Sequence, residues 1–160
     1  RFLREIPISQ LGEDKQEEMS KNLERYSLYE AYEVRQVLET KAMDLIVRNA
    51  TDSDLDEIET AYQTMLLRFA ETNTTTGEFE LHQLYAKKTG SVFMEQTLNI
   101  VLSTILEMMH TTSHNVMDMH QVEEEKADHR RIIDALHKRD SSAAQQAMYD
   151  HIQHTLDILQ

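Results

Sequence analysis

Apolar residues recur every three to four positions over long stretches of the chain, which is the pattern of helices with one buried face. The predicted core-facing stripes are Val34, Leu38, Ala42, Leu45 and Ile46; Leu55, Ile58, Tyr62, Met65, Leu66 and Phe69; Phe93, Met94, Leu98, Val101, Leu102, Ile105, Leu106 and Met109; Ile132, Ile133 and Leu136; and Ala144, Ala147, Met148, Ile152 and Leu159. Residues 8–26 have only weak helical periodicity. We therefore predict a linker or partly helical N-terminal arm over 1–26 and a single domain over 27–160.

Capping residues mark where these helices begin and end. Ser27 and Glu30 have the spacing of a capping box, and Thr51 can cap the next helix. Gly90 is placed to end a helix in the left-handed conformation, and Asp140 can cap the last helix. The predicted helices cover about 27–49, 51–72, 76–88, 91–117, 121–138 and 141–160, with the clearest loop at about 73–77.

The 160-residue chain contains only three glycines and one proline. Sheet-rich folds need many turns, and turns favour these two residue types. Their scarcity indicates a few long helices with short connections. We therefore predict an all-α fold, an antiparallel bundle of six to seven helices.

The chain has a formal charge of −13 and no cysteine. An acidic surface repels phosphate, so these residues are poor candidates for nucleic-acid binding, although the charge can also serve solubility alone. The lack of cysteine excludes thiolate metal sites and fits a reducing, cytoplasmic compartment. No run approaches the roughly 18 apolar residues of a membrane span, so no membrane partner is expected.

Eight histidines are many for a chain of this length. Five lie near predicted helix ends or on mixed faces, where surface or capping roles explain them, namely His110, His114, His120, His137 and His154. The other three fall on apolar faces. His129 and His151 lie on the core stripes of the last two helices, and His82 lies between Leu81 and Tyr85.

An imidazole that faces a core needs polar partners, because an unpaired buried polar group is unfavourable. Hydrogen bonds to carbonyls or carboxylates would satisfy each histidine singly. A divalent cation would satisfy His82, His129 and His151 together, because neutral imidazole binds Zn, Ni, Cu or Fe without thiolates. Glu78 lies four residues before His82 and could ligate the same ion, or it could close a capping box with Thr75. We predict that Glu78 and these three histidines bind zinc or nickel inside the bundle.

Arg35 lies one position from the apolar stripe of the first helix. Its guanidinium could reach inward and bind a carboxylate, or it could form an exposed ion pair with Glu39 one turn later. Asn99 and Ser103 interrupt an otherwise apolar helix, four residues apart. We predict that Arg35, Asn99 and Ser103 bind a small ligand in the cavity that holds the metal.

Four segments, taken in order, resemble a known family. They are VRQVLETKAMDLIVRNAT, EFELHQLYAKKTGS, EEEKADHRRIIDALHKRDSSAAQQAM and YDHIQHTL. Over about residues 28–160 the chain resembles the FadR-type C-terminal effector domain of GntR-family bacterial transcription regulators. The family pattern has an acidic residue four positions before a histidine, then T/S-G-N, then H-x-x-I-x-x-A-(I/L) with a nearby R/G-D, and a final histidine. These features fall on Glu78 and His82, 89–91, 129–136 with Asp140, and His151.

This resemblance implies a helical bundle that forms a homodimer, senses a small carboxylate effector and binds zinc, nickel or a similar ion. It also implies a winged-helix domain N-terminal to this segment, through which alone DNA would be bound. That domain is not among these residues, whose first is not methionine. Two positions depart from the pattern, since Glu78 replaces the usual Asp and Ser91 the usual Asn. The expected function is ligand sensing and not catalysis.

Two other functions stay open. A di-iron carboxylate enzyme would use Glu-x-x-His elements, whereas the acidic residue and histidine are four positions apart in Glu78/His82 and in Glu125/His129. A metal-free interaction module with hydrogen-bonded core histidines is the second alternative.

Overall fold

The computed structural model describes residues 27–112 and 119–160, and these residues form six helices without a strand. The helices are α1 (Ser27–Asn49), α2 (Asp52–Thr72), α3 (Glu78–Lys88), α4 (Val92–Thr112), α5 (Met119–His137) and α6 (Ser141–Leu159). The predicted all-α bundle is confirmed within this part of the chain. Outside the described residues lie the predicted arm at 1–26, the end predicted for the fourth helix, and the side chains of Ser27, His110, His114 and His120.

Local capping fixes several helix ends as predicted. Thr51 Oγ1 accepts the amide hydrogen of Asp54 at 3.1 Å, and the Asp54 carboxylate accepts that of Thr51 at 2.9 Å, which completes a capping box. Asp140 accepts the amide hydrogen of Ala143 at 3.0 Å at the start of α6. Gly90 has a φ of +72°, the predicted left-handed position between α3 and α4.

Helix α3 begins two residues later than predicted, at Glu78. Gly77 has a φ of +100°, so the chain is still turning at that residue and cannot yet be helical. Acidic residues in the first turn of α3 and Lys87 and Lys88 in its last turn suit the helix dipole. This short helix carries Glu78 and His82.

The face of α1 predicted to be buried was partly wrong. Ala42 and Ile46 are fully buried as predicted, but Val34 is 53% exposed. Arg35 and Glu39 are buried on the same face, which therefore mixes charged and apolar side chains, and apolar spacing alone does not locate all of it. The predicted stripes of α2, α5 and α6 do lie in or against the core.

Helix α4 is at least partly buried along most of its predicted stripe, but Phe93 and Leu106 were placed wrongly and are 81% and 40% exposed. Helices α1 and α4 pack against each other, and both carry large apolar side chains on the surface. We call the five that are more than half exposed the α1–α4 exposed set: Val34, Val37, Val92, Phe93 and Ile100. No helix in the described ranges combines the length and apolar character needed to cross a membrane.

Candidate metal and ligand site

All four predicted metal ligands meet at one buried point between α3, α5 and α6. His82 and His129 are fully buried, and His151 and Glu78 are 2% and 8% exposed. Glu78 Oε1 lies 3.3 Å from His129 Nε2 and 3.2 Å from His151 Nε2, and it also contacts His82 Nε2. The Nε2 atoms of His82 and His151 are 3.2 Å apart. These four side chains therefore form a group that could hold a metal ion.

Three of the separations between these atoms match those of a coordination shell. Zinc binds imidazole nitrogen and carboxylate oxygen at about 2.0–2.2 Å, so neighbouring ligand atoms in a tetrahedral site lie about 3.3 Å apart. The separations of 3.2 and 3.3 Å are close to this value. Glu78 and His82 are closer together than two ligands of one ion, so an ion at the centre would require these two side chains to move apart.

Each histidine is oriented by a partner on its outer nitrogen. A carboxylate can only accept a hydrogen bond, so a proton on Nδ1 pairs with it and leaves the Nε2 lone pair for the centre. A phenol can serve the third histidine in the same way. The three pairs are His82 Nδ1 with Glu39 Oε1 at 2.5 Å, His151 Nδ1 with Asp128 Oδ2 at 2.9 Å, and His129 Nδ1 with Tyr85 Oη at 2.9 Å.

Sequence reasoning missed these three orienting residues. Glu39 was considered only as a surface partner of Arg35, although the same spacing also fits a buried pair. Tyr85 and Asp128 are neighbours of predicted ligands along the chain, yet each serves a histidine other than its nearest one. Such cross-helix pairing depends on the tertiary fold and leaves no local signal in the sequence.

Opposite charges hold the buried acidic groups in their ionised form. Burial raises the pKa of Glu39, but the positive charges of His82 and Arg35 outweigh this effect and lower that pKa to about 2. Burial also raises the pKa of Glu78. The charge of His82 and hydrogen bonds from the other histidines nevertheless hold this pKa well below its usual range. Burial lowers the pKa of His151, but the surrounding carboxylates raise it well above its usual value.

Arg35 is buried beside the metal ligands and is 2% exposed. Its Nε donates to Glu39 Oε2 at 2.6 Å, so the predicted pair exists, but the exposed position considered for it was wrong. Its Nη2 lies 3.8 Å from Glu78 Oε1 and has no hydrogen-bond partner in the described residues. The guanidinium also lies over the rings of Tyr32 and Phe79, at 5.2 and 5.3 Å.

A small pocket lies against this site. Its lining includes Arg35, Glu78, Glu125 and His151, and its volume is about 30 Å³. That volume accommodates roughly two or three water molecules. A small anionic group in this pocket would therefore face both the guanidinium and the metal ligands.

The structure does not bring Asn99 and Ser103 to this pocket. Ser103 is exposed, and its hydroxyl donates to the backbone carbonyl of Asn99. It lines a neighbouring groove of about 370 Å³, which shares Thr75 and Phe79 with the pocket. A ligand-binding role for Asn99 and Ser103 stays a prediction.

The hydrogen bonds of the site continue outward through Asp128. Its Oδ2 also pairs with Nδ1 of half-buried His154 at 2.9 Å, and His154 in turn lies 2.9 Å from Glu124 Oε1. His137 is exposed and lies 3.3 Å from Glu59. His154 and His137 thus have carboxylate partners at or near the surface, apart from the four clustered ligands.

Comparison with known proteins agrees with this fold. Streptococcus agalactiae GntR superposes with a TM-score of 0.65 at 22% identity, covering 81% of this chain and 58% of its own. E. coli McbR/YncC superposes with a TM-score of 0.66 at 14% identity, covering 93% of this chain and 66% of its own. The chain thus spans less than two thirds of either protein, and at such identities the likeness concerns the fold alone. A search of curated proteins found no significant match.

The family assignment comes from the sequence itself. A family model described as the FCD domain matches residues 30–154, which is most of the chain and includes every predicted metal ligand. The chain therefore belongs to the FCD domain family, the C-terminal domain of GntR-family regulators.

Proposed function

We propose that residues 27–160 are the ligand-sensing domain of a GntR-family transcription regulator and bind one divalent metal ion and a small carboxylate. The observation that carries this proposal is the buried convergence of three imidazole Nε2 atoms on one carboxylate oxygen of Glu78. Each of the imidazole rings is held from its other nitrogen, as rings of metal-bound histidines usually are.

The chemistry of the donor set favours zinc or nickel. Three neutral imidazoles and one carboxylate suit a borderline cation and leave one or two coordination positions for other ligands. The charge of the surroundings also favours a cation. The histidines of the site lie against four carboxylates, those of Glu39, Glu78, Glu125 and Asp128, whereas one guanidinium, that of Arg35, lies beside the site.

The carboxylate would bind in the small pocket beside the metal. Arg35 Nη2 is buried without a hydrogen-bond partner in the described residues, and a carboxylate oxygen would satisfy it. Arg35 and His151 line the same pocket, so one carboxylate could reach both the guanidinium and an open position on the ion. The pocket has room for little more than the carboxylate group, so the rest of the effector would extend toward its opening.

Regulation would act through a homodimer and through the DNA-binding domain that full-length members of this family carry N-terminal to the present domain. The α1–α4 exposed set offers apolar surface for a second copy. The effector would switch the protein only if it bound two arrangements of the dimer with different affinity. Contact with DNA also implies a cytoplasmic location for the whole protein.

One observation favours a metal-free interaction module instead. In the structure the three Nε2 atoms already have the Glu78 carboxylate as a polar neighbour, so a cation is not the only group that could satisfy them. In that case the histidines would stabilise the fold, and the protein would bind its partners through its surface.

Elemental analysis separates the two proposals. The parent protein, purified without a metal-affinity tag or chelator, is expected to contain about one zinc or nickel ion per chain. His129→Ala and His151→Ala should lose the ion, because each removes one of four ligands. His137→Ala is the matched control, because this exposed histidine pairs with Glu59 and should leave the metal content unchanged. A parent that is metal-free and takes up neither ion on titration would support the metal-free module.

A further inference from the structure

Glu125 presents a buried carboxylate oxygen to the metal site, although it is not one of the four clustered ligands. It lies on α5, one turn before His129. Its Oε2 is buried and accepts no hydrogen bond from the described residues. Burying a carboxylate oxygen without a donor is unfavourable, so this position needs a partner that the protein side chains do not supply.

The distances place this oxygen where a further ligand would lie. Glu125 Oε2 is 3.5 Å from His129 Nε2 and 3.6 Å from His151 Nε2. For bonds of about 2.1 Å, adjacent ligand atoms in five- and six-coordinate sites are separated by roughly 3.0–3.6 Å. The oxygen is thus almost equally distant from two predicted ligands, at a separation that one ion could bridge.

Glu125 also lies on the side of the site that faces the pocket. Its side chain lines the pocket together with Arg35, Glu78 and His151. A carboxylate entering this pocket would therefore approach the coordination position nearest to Glu125.

We propose that Glu125 is a fifth metal ligand, which holds the position facing the pocket until a small carboxylate replaces it. The exchange breaks one metal–oxygen bond and forms another, with no transfer of a proton or an electron. One anionic oxygen replaces another, so the charge around the ion is unchanged while Glu125 and its part of α5 are released. This inference rests on the proposed metal site and adds a residue that links ligand binding to a helix.

Cobalt(II) is a suitable probe, because its visible absorption depends on the number of its ligands. The affinity of the full chain for cobalt would be measured by competition with a chelating dye, for the parent, Glu125→Ala and Glu125→Gln. Both variants are expected to bind cobalt about 10- to 100-fold more weakly than the parent and with a changed spectrum. Acetate should restore affinity and spectrum in Glu125→Ala, and it should bind the cobalt-loaded parent more weakly, because there it must displace Glu125.

Glu123→Ala is the matched control. Glu123 lies two residues earlier on the same helix, is exposed, and pairs with Lys126 and not with the clustered ligands. It should bind cobalt and acetate like the parent. Circular dichroism would establish that the metal-free variants are folded. If Glu125→Ala does not fold, Glu125→Gln, which keeps the size of the side chain, is the variant that tests whether Glu125 binds the ion.

The failures can be told apart. If the parent binds cobalt but both Glu125 variants equal it in affinity, spectrum and response to acetate, Glu125 is not a ligand and the four-residue site stands. If the parent takes up no cobalt, the proposed metal site and this inference are both overturned.

Discussion

Ion pairs in this protein differ in how deeply they are buried, and burial decides how much each charged residue contributes to the stability of the fold. Arg35 and Glu39 are almost fully buried, so each depends on the other, and removing only one would leave an uncompensated charge. The pair of Arg130 and Glu59 lies at the edge of the core, with side chains 36% and 29% exposed. Its two hydrogen bonds, at 2.6 and 2.9 Å, join α5 to α2.

The pair at the edge of the core should make stability depend on pH. Hydrogen bonds from Arg130 lower the pKa of Glu59 to about 2 in the folded protein. Its contribution is therefore complete above the ordinary carboxylate pKa and is lost as the pH falls from about 4.5 toward 2. At pH 7, Glu59→Gln should lower the free energy of unfolding by about 0.5–1 kcal/mol, a value limited by solvent screening. Urea unfolding at pH 7 and pH 3 should show this difference shrinking at the lower pH.

Glu71→Gln is the control for this prediction. Glu71 is exposed on the same helix, and the change should alter the unfolding free energy by less than about 0.5 kcal/mol. If the Glu59 variant differed from the parent equally at both pH values, the lost stability would come from packing and not from charge.

At the scale of single residues, the sequence indicated which side chains lie at the site better than it indicated which neighbours they contact there. Arg35 was predicted to reach into the cavity because it borders an apolar stripe, but the rings of Tyr32 and Phe79 that surround it could not be foreseen, since they come from two helices. Glu78 had two open roles. One of its carboxylate oxygens lies against three histidines from three helices. The local capping motif gives no indication of these contacts, because two of the histidines are far away in the sequence.

At the scale of single helices, local capping rules were reliable. The starts of α2 and α6 follow from side chains that bond amides three residues later, and both partners are visible in the sequence. The buried face of α1 was only partly predictable from its apolar pattern, since Ala42 and Ile46 are buried as expected and Val34 is not. Charged residues occupy part of that face, because the rest of the bundle provides partners for them.

The cap of α6 gives a prediction about one helix. Asp140→Ala removes the acceptor for the amide of Ala143 and should lower the free energy of unfolding by about 1 kcal/mol. Metal content should be unaffected, because His151 lies in the middle of the helix. Thermal unfolding and elemental analysis would test both statements. Ser142→Ala, at an exposed position in the same turn, should leave stability nearly unchanged, and an equal loss there would argue against capping as the cause.

At the scale of the whole molecule, the α1–α4 exposed set predicts self-association. Ile100 is 67% exposed on α4, and a charge at this position would oppose burial against a second copy. Ile100→Asp should convert a dimer of the parent to monomer in sedimentation experiments. Leu67→Asp is the control, because Leu67 is equally exposed but lies on α2, outside this set. Loss of the dimer in both variants, or in neither, would contradict the assignment.

The convergence of the four predicted ligands was foreseeable at this scale, but their surroundings were not. Histidines on the apolar faces of separate helices must meet polar partners in the core, and the order of the motifs indicates which helices take part. The supporting residues Glu39, Tyr85, Asp128 and Glu125 reach the site only through the packing of α1, α3, α5 and α6. The positions of Glu39, Tyr85 and Asp128 follow from the fold and from no pattern along the chain, whereas the spacing of Glu125 and His129, one helical turn, is visible in the sequence.

The clustered side chains come from residue 78 to residue 151, on three helices of a chain that has no cysteine. An ion bound by them would cross-link the bundle and close long chain loops, as a disulfide does in other proteins. Because such an ion binds only the folded chain, it would raise the free energy of unfolding by an amount that grows with the logarithm of the free ion concentration. A cell depleted of the metal would then lose the folded regulator to degradation, and not only the response to its effector.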